Sequence, residues 1–227
     1  MESLNTIQKV VVSIIPVLFA ITLHEAAHGW VAKRLGDQTA SILGRVTANP
    51  FKHIDLIGTI LIPVLSYILS GFIFGWAKPV PVDWRKLRNP RRDMALVALA
   101  GPAANLTMAI FWTLIIKIGV LLIGVAELPA FFLVYMGGAG VLFNVLLMAL
   151  NLMPILPLDG GRIMYSLLPA PYASYFARLE PFGLFILVGL LVSGVLGFLI
   201  WPLFIITINL LPESNIVNLV FRDLFVS

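Results

Sequence analysis

Five stretches of the chain are long, apolar and nearly free of charge: Ile7 to Val31, Leu56 to Ala77, Met94 to Ala126, Leu128 to Leu158 and Pro181 to Pro212. Each reaches the roughly 20 residues a helix needs to cross about 30 Å of hydrocarbon. Between them the cations gather in two loops, Lys33, Arg34, Arg45 and Lys52 in one, Lys78, Arg85, Lys86, Arg88, Arg91 and Arg92 in the other. Both loops belong on the cytoplasmic face by the positive-inside rule, yet they flank Leu56 to Ala77, and a full crossing there would separate them. Pro63, Gly71 and Gly75 weaken that segment as a helix, and protein-buried re-entrant backbone is tolerated at membrane depth. The pattern therefore predicts an all-α polytopic membrane protein with about four spanning helices, a re-entrant segment near 56–77 and an external N-terminus. Leu43 to Phe51 and Lys78 to Val82 suit short membrane-associated β elements, confined to an edge by their prolines. Asn215 to Phe225 is amphipathic and predicts an interfacial helix. Residues 1–227 form a single domain on this reading, with no repeat and no linker.

Composition sharpens the picture. Of 227 residues, 60% are hydrophobic and 11% charged, where a soluble domain carries about 25% charged residues, and the mean hydropathy is +1.01. A water-soluble domain is excluded. The absence of cysteine removes thiolate metal sites and cysteine nucleophiles. The net charge of +4 points to the lipid bilayer as partner, with no nucleic acid, because ten of fifteen cations lie in the two loops without aromatic interleaving or a recognition motif.

Candidate chemistry begins at His24-Glu25-Ala26-Ala27-His28, near the end of the first apolar stretch. Positions i and i+4 share a helix face, so the two imidazoles converge where zinc accepts them, and Glu25 beside them can take a proton from water activated by the metal. Ionisable groups within one turn of a membrane helix are costly and indicate function. A catalytic zinc wants a third protein ligand. His53, Asp37, Asp55, Asp83 and Asp93 lie in basic surroundings, whereas Asp159 follows a long uncharged run, within Asn151-Leu152-Met153-Pro154-Ile155-Leu156-Pro157-Leu158-Asp159-Gly160-Gly161-Arg162. The competing reading of Asp159 is a turn residue paired with Arg162. With the second segment re-entrant, Met94 to Ala126 crosses outward and Leu128 to Leu158 crosses back, which delivers Asp159 to the side of His24 and His28.

These residues resemble the site-2 proteases, intramembrane zinc metalloproteases of regulated proteolysis, and in particular the short prokaryotic members without PDZ or CBS domains. The resemblance rests on HEAAH, on GWAKPVPVD from Gly75 to Asp83, on GPAAN from Gly101 to Asn105 and on NLMPILPLDGGR from Asn151 to Arg162, four motifs in the same order over nearly the whole chain. Asp83 stands where Asn is common. The resemblance implies one zinc per chain held by His24, His28 and Asp159, with Glu25 as general base. It further implies that Asn151 binds substrate or the developing oxyanion, and that Lys78, Pro79, Val80, Pro81 and Val82 present an edge to the substrate. The expected activity is hydrolysis of a peptide bond within or near the transmembrane segment of a single-span protein. The expected location is the cell membrane of a prokaryote, multi-pass, with the site towards the cytoplasm. A cation or proton transporter is the alternative, since intramembrane His, Glu and Asp could bind a passing ion.

Overall fold

The computed structural model describes residues 4–61 and 78–225. Helix α1, Thr6–Leu35, starts at a capping box in which the Asn5 side chain accepts from the Gln8 amide and the Gln8 side chain accepts from the Asn5 amide, satisfying two donors left over at a helix start. It stops at Gly36, whose φ of 119° lies in the region glycine reaches without a Cβ clash. The Gly36 N–H meets the Ala32 and Lys33 carbonyls, and Lys33 and Arg34 occupy the last turn, favourably placed against the helix dipole. After the short α2, Thr39–Ile42, and irregular chain, α3 spans Pro90–Leu121 with Pro90 in its first turn, and Asp93 accepts from the Asn89 amide at 2.8 Å. Helix α4, Glu127–Asn151, is followed by α5 at Asp159–Leu167, α6 at Ala170–Ala177, α7 at Gly183–Val192, α8 at Val195–Leu210 and α9 at Ser214–Phe225.

Helix α4 is the centre of the bundle, packed against α1, α3, α8 and α9. Its run Gly137-Gly138-Ala139-Gly140 explains how. A Cβ at Gly137 would lie 2.7 Å from the Ile116 side chain, one at Gly138 2.7 Å from Val220 and one at Gly140 2.3 Å from Trp112. Small residues let membrane helices approach until van der Waals contact replaces the hydrophobic effect that lipid does not supply. Four stretches among the described residues are long and apolar enough to cross a membrane, Thr6–Leu35, Pro90–Leu121, Glu127–Asn151 and Ala170–Val192. The regular structure of the described residues is all helical, and the chain is a multi-pass membrane protein.

Two expectations need correction. No strand occurs among the described residues, and neither Leu43 to Phe51 nor Lys78 to Val82 is a β element. Pro79 and Pro81 have no N–H, the Val80 N–H goes to Glu25, and Arg45 takes the Lys78 carbonyl, which leaves no ladder to pair. Pro181 to Pro212 is not one helix, because Ser193 and Gly194 (φ 75°) separate α7 from α8. Helix α9 coincides with the amphipathic helix expected at Asn215 to Phe225, and it packs on the bundle: Val217 and Val220 are buried in the main core, and the Tyr135 hydroxyl donates to Asp223 at 2.7 Å.

Residues 62–77, the greater part of the expected re-entrant segment, lie outside the described residues; its start, Leu56–Leu61, is a π-helical turn. Its flanks meet, with the Lys78 N–H donating to the His53 carbonyl at 2.9 Å. The Arg88 amide donates to the Leu35 carbonyl at 3.0 Å and the Asp83 amide to Asp37 at 2.8 Å. Both cationic loops therefore sit together at the end of the bundle where α1 finishes and α3 begins.

Candidate metal centre

The i,i+4 spacing on α1 places His24 Nε2 and His28 Nε2 3.1 Å apart. Asp159, the first residue of α5, brings Oδ2 to 3.3 Å from the first and 3.4 Å from the second. Four ligand atoms around zinc at about 2.0 Å are separated by about 3.3 Å along each edge of their tetrahedron. The three separations match one face of it.

Protonation is fixed by what lies behind the imidazoles. His28 Nδ1 is 2.7 Å from the Val97 carbonyl, which only accepts. His24 Nδ1 is 2.6 Å from Asn105 Oδ1, while Asn105 Nδ2 donates to the Ala20 carbonyl and to Asn144 Oδ1, and Asn144 Nδ2 donates to the Gly140 carbonyl. This amide orientation makes Asn105 Oδ1 an acceptor, so both Nδ1 atoms carry a proton and, in the neutral imidazoles that a metal requires, both Nε2 lone pairs face Asp159. Asp159 Oδ2 is buried without a hydrogen-bond partner among the described residues. Three lone pairs aimed at one point repel each other unless a cation lies between them, and two imidazoles with a carboxylate are an established zinc donor set. The residues fit zinc.

Close backbone approach shapes the surroundings. A Cβ at Gly101 of α3 would stand 2.5 Å from both His24 Cε1 and His28 Nε2, so only glycine lets this helix lie against the imidazole pair. The turn that carries Asp159 is folded as tightly, since a Cβ at Gly160 would come within 2.3 Å of the Leu152 carbonyl oxygen. Arg162 does not pair with Asp159 but turns to Glu180, with its guanidinium 5.7 Å from the Trp84 ring. Other candidate ligands are engaged elsewhere. Asp37 accepts from Thr39 and the Asp83 amide, Asp83 faces Arg85 and Lys86, Asp55 accepts from the Ile57 and Gly58 amides, and His53 Nε2 meets the Thr47 carbonyl.

Glu25 Oε2 accepts from the Val80 amide at 2.7 Å, which brings the Lys78 to Val82 segment to the candidate base. Asn151, the last residue of α4, donates back to the Leu147 carbonyl of its own helix at 3.0 Å. Asn105 is the asparagine bonded to His24, and Asn144 supports it; both are fully buried. On sequence alone Asn105 is named only as the end of the GPAAN motif and Asn144 is passed over, although a lone amide in an apolar helix run must find a partner in hydrocarbon and is a readable signal.

No protein-family model matches the chain, and no solved structure does. A protein of Bacillus subtilis (strain 168) named "Putative zinc metalloprotease YwhC" is 35% identical over 84% of each chain. One of Mycolicibacterium smegmatis named "Putative zinc metalloprotease Rip2" is 32% identical over 79% of this chain and 66% of its own length. Rip2 of Mycobacterium tuberculosis, under the same name, is 30% identical over 63% and 52%. All three are bacterial, as expected for a prokaryotic chain. An HExxH pair on a membrane helix, completed by Asp159 and matched along 84% of a relative of nearly the same extent, leaves one assignment: the chain belongs to the site-2 protease family of zinc metalloproteases.

Proposed function

We propose that this metalloprotease works inside the bilayer, hydrolysing a peptide bond within or near the transmembrane segment of a single-span protein, with Glu25 as general base. One observation carries the reading. The His24, His28 and Asp159 ligand atoms converge at tetrahedral spacing next to a carboxylate held by the Val80 amide, on a helix apolar enough to cross the membrane. Zinc, when bound, supplies a Lewis acid that polarises a carbonyl and brings the pKa of water down towards about 7. Glu25 accepts the proton of the attacking water and returns it to the departing amine. Because Oε2 is engaged by Val80, Oε1 is the oxygen that takes the proton.

A transmembrane helix hides its peptide groups in i to i−4 hydrogen bonds, so cleavage requires local unwinding. The Lys78 to Val82 segment is placed beside Glu25 to receive the unwound backbone. With no N–H at Pro79 or Pro81, its contribution is carbonyl acceptors, and its recognition of substrate is one-sided. Asn151 is assigned to substrate or oxyanion binding at the end of α4. The two cationic loops at the end of α1 orient this end of the bundle towards the cytoplasm.

The test is cleavage of a reconstituted single-span substrate in liposomes by wild type and Glu25→Gln, with zinc measured on both. The expected result is unchanged zinc and a rate lower by about 10²- to 10⁴-fold, the usual contribution of general-base catalysis. Equal cleavage by the two removes Glu25 as base. Ion flux through wild type without cleavage of any single-span substrate would favour a transporter.

A further inference from the structure

We propose that Arg45 is a positioning residue for the Glu25 carboxylate, acting through the backbone of Lys78 to Val82; this rests on the general-base reading of Glu25. Between Lys78 and Val82 the chain runs Pro79-Val80-Pro81, and prolines on both sides leave Val80 the only residue of the three with an N–H. That single donor points at Glu25 Oε2 from 2.7 Å. What aims it is Arg45, a residue only 9% exposed, whose Nη2 donates to the Lys78 carbonyl at 2.8 Å and the Pro79 carbonyl at 3.4 Å. The Lys78 N–H is tied in turn to the His53 carbonyl.

The same two segments rest together on α1. Gly29 lies one turn beyond Glu25 on the same face, and a Cβ there would meet Val46 Cγ2 at 2.9 Å and Val80 Cγ1 at 3.0 Å. The missing side chain lets the neighbour of Arg45 and the neighbour of Pro79 both reach the helix next to the base. Arg45 thus grips the carbonyls immediately before Val80, Gly29 admits Val80, and the only amide available is directed at the carboxylate. A carboxylate with one oxygen pinned holds its other oxygen in a single pose, and loss of such positioning costs rate without removing any reacting group.

The full chain is compared as wild type, Arg45→Ala and Arg45→Lys in the same detergent and liposomes. Selective ¹⁵N-valine labelling reports the Val80 amide proton, assigned as the resonance absent from Val80→Ala. That proton should lie downfield in wild type and move upfield in both Arg45→Ala and Glu25→Gln. Zinc content should be unchanged in Arg45→Ala and kcat lower by about 10- to 100-fold, whatever the accompanying change in KM. Arg45→Lys, which keeps the charge but not the planar fork, should recover part of the shift and of the rate. An unmoved Val80 proton in Arg45→Ala overturns the proposal, as does loss of zinc, or a rise in KM at constant kcat. If wild type cleaves no substrate, the protease reading fails by itself, while the Val80 resonance still decides whether Arg45 aims this amide at Glu25.

Discussion

The two halves of the candidate metal centre are built on opposite principles. His24 and His28 stand on α1, a helix of 30 residues whose periodicity alone sets them one turn apart, and each is oriented from behind by a partner on α3. Asp159 comes from chain broken by Pro154 and Pro157 and folded so tightly that Gly160 has no room for a side chain. Among the described residues its Oδ2 has no partner to orient it other than the histidines it faces. A regular helix with hydrogen-bonded support gives direction to a ligand pair. An irregular turn gives reach, bringing a carboxylate across the bundle to an existing pair.

The largest effect that can break this comparison is removal of either half. His24→Ala with His28→Ala should abolish zinc binding, and Asp159→Ala should reduce it to the weak, exchangeable level of two imidazoles, since two protein ligands do not define a tight site. Metal analysis after dialysis measures both. Full occupancy in the double histidine variant would overturn the assignment, and tight zinc in Asp159→Ala would show that the turn is dispensable.

A smaller effect should distinguish support from ligation. Asn105→Ala frees the His24 ring while leaving all three ligand atoms in place, and loss of such a partner typically weakens metal affinity by about 10- to 100-fold. Competition with a chelator gives the value, and an affinity equal to wild type would mean that α1 alone orients the pair.

The smallest effect tests the end of α1. Burial pushes the Asp37 carboxyl up, but the hydroxyl and amide of Thr39, the Asp83 amide and nearby Lys86 outweigh it and hold the group below its ordinary 3.8. A depressed folded value means that the stabilisation is fully present above the unfolded value and lost as pH falls through the lower folded one. Thermal unfolding in detergent should therefore show wild type more stable than Asp37→Asn by about 1 kcal/mol above pH 4 to 5, with the gap closing below pH 3.8. A gap independent of pH would remove the charge from the explanation.

The helical half of the centre was legible because one periodicity governs both sequence and geometry: HEAAH can only face one way on a helix. Asp159 was found differently, by its uncharged surroundings and by crossing parity, and the turn geometry that delivers it could not be read from Pro and Gly positions. Apolar runs located α1, α3 and α4, while Ser193 and Gly194 in the last run, which end α7 and start α8, were too weak a signal against so much hydrophobicity. The β elements failed for a physical reason. Extended propensity around KPVPV says nothing about where the one N–H goes, and here a carboxylate 55 positions earlier takes it. Asn144 was missed because its value lies in Asn105, a partner on another helix.

The hydrogen-bonded chain Gly140 carbonyl, Asn144, Asn105, His24 joins α4, α3 and α1 in that order, and this has a consequence for biogenesis. During synthesis α1 emerges before α3, α4 and α5, so His24 and His28 are made while the residues that fix their tautomers and complete the candidate ligand set are still untranslated. A bare histidine pair holds zinc weakly. A complete ligand set therefore requires α1, α3 and α4 to have docked and the turn after α4 to have closed, and tight metal binding requires that set.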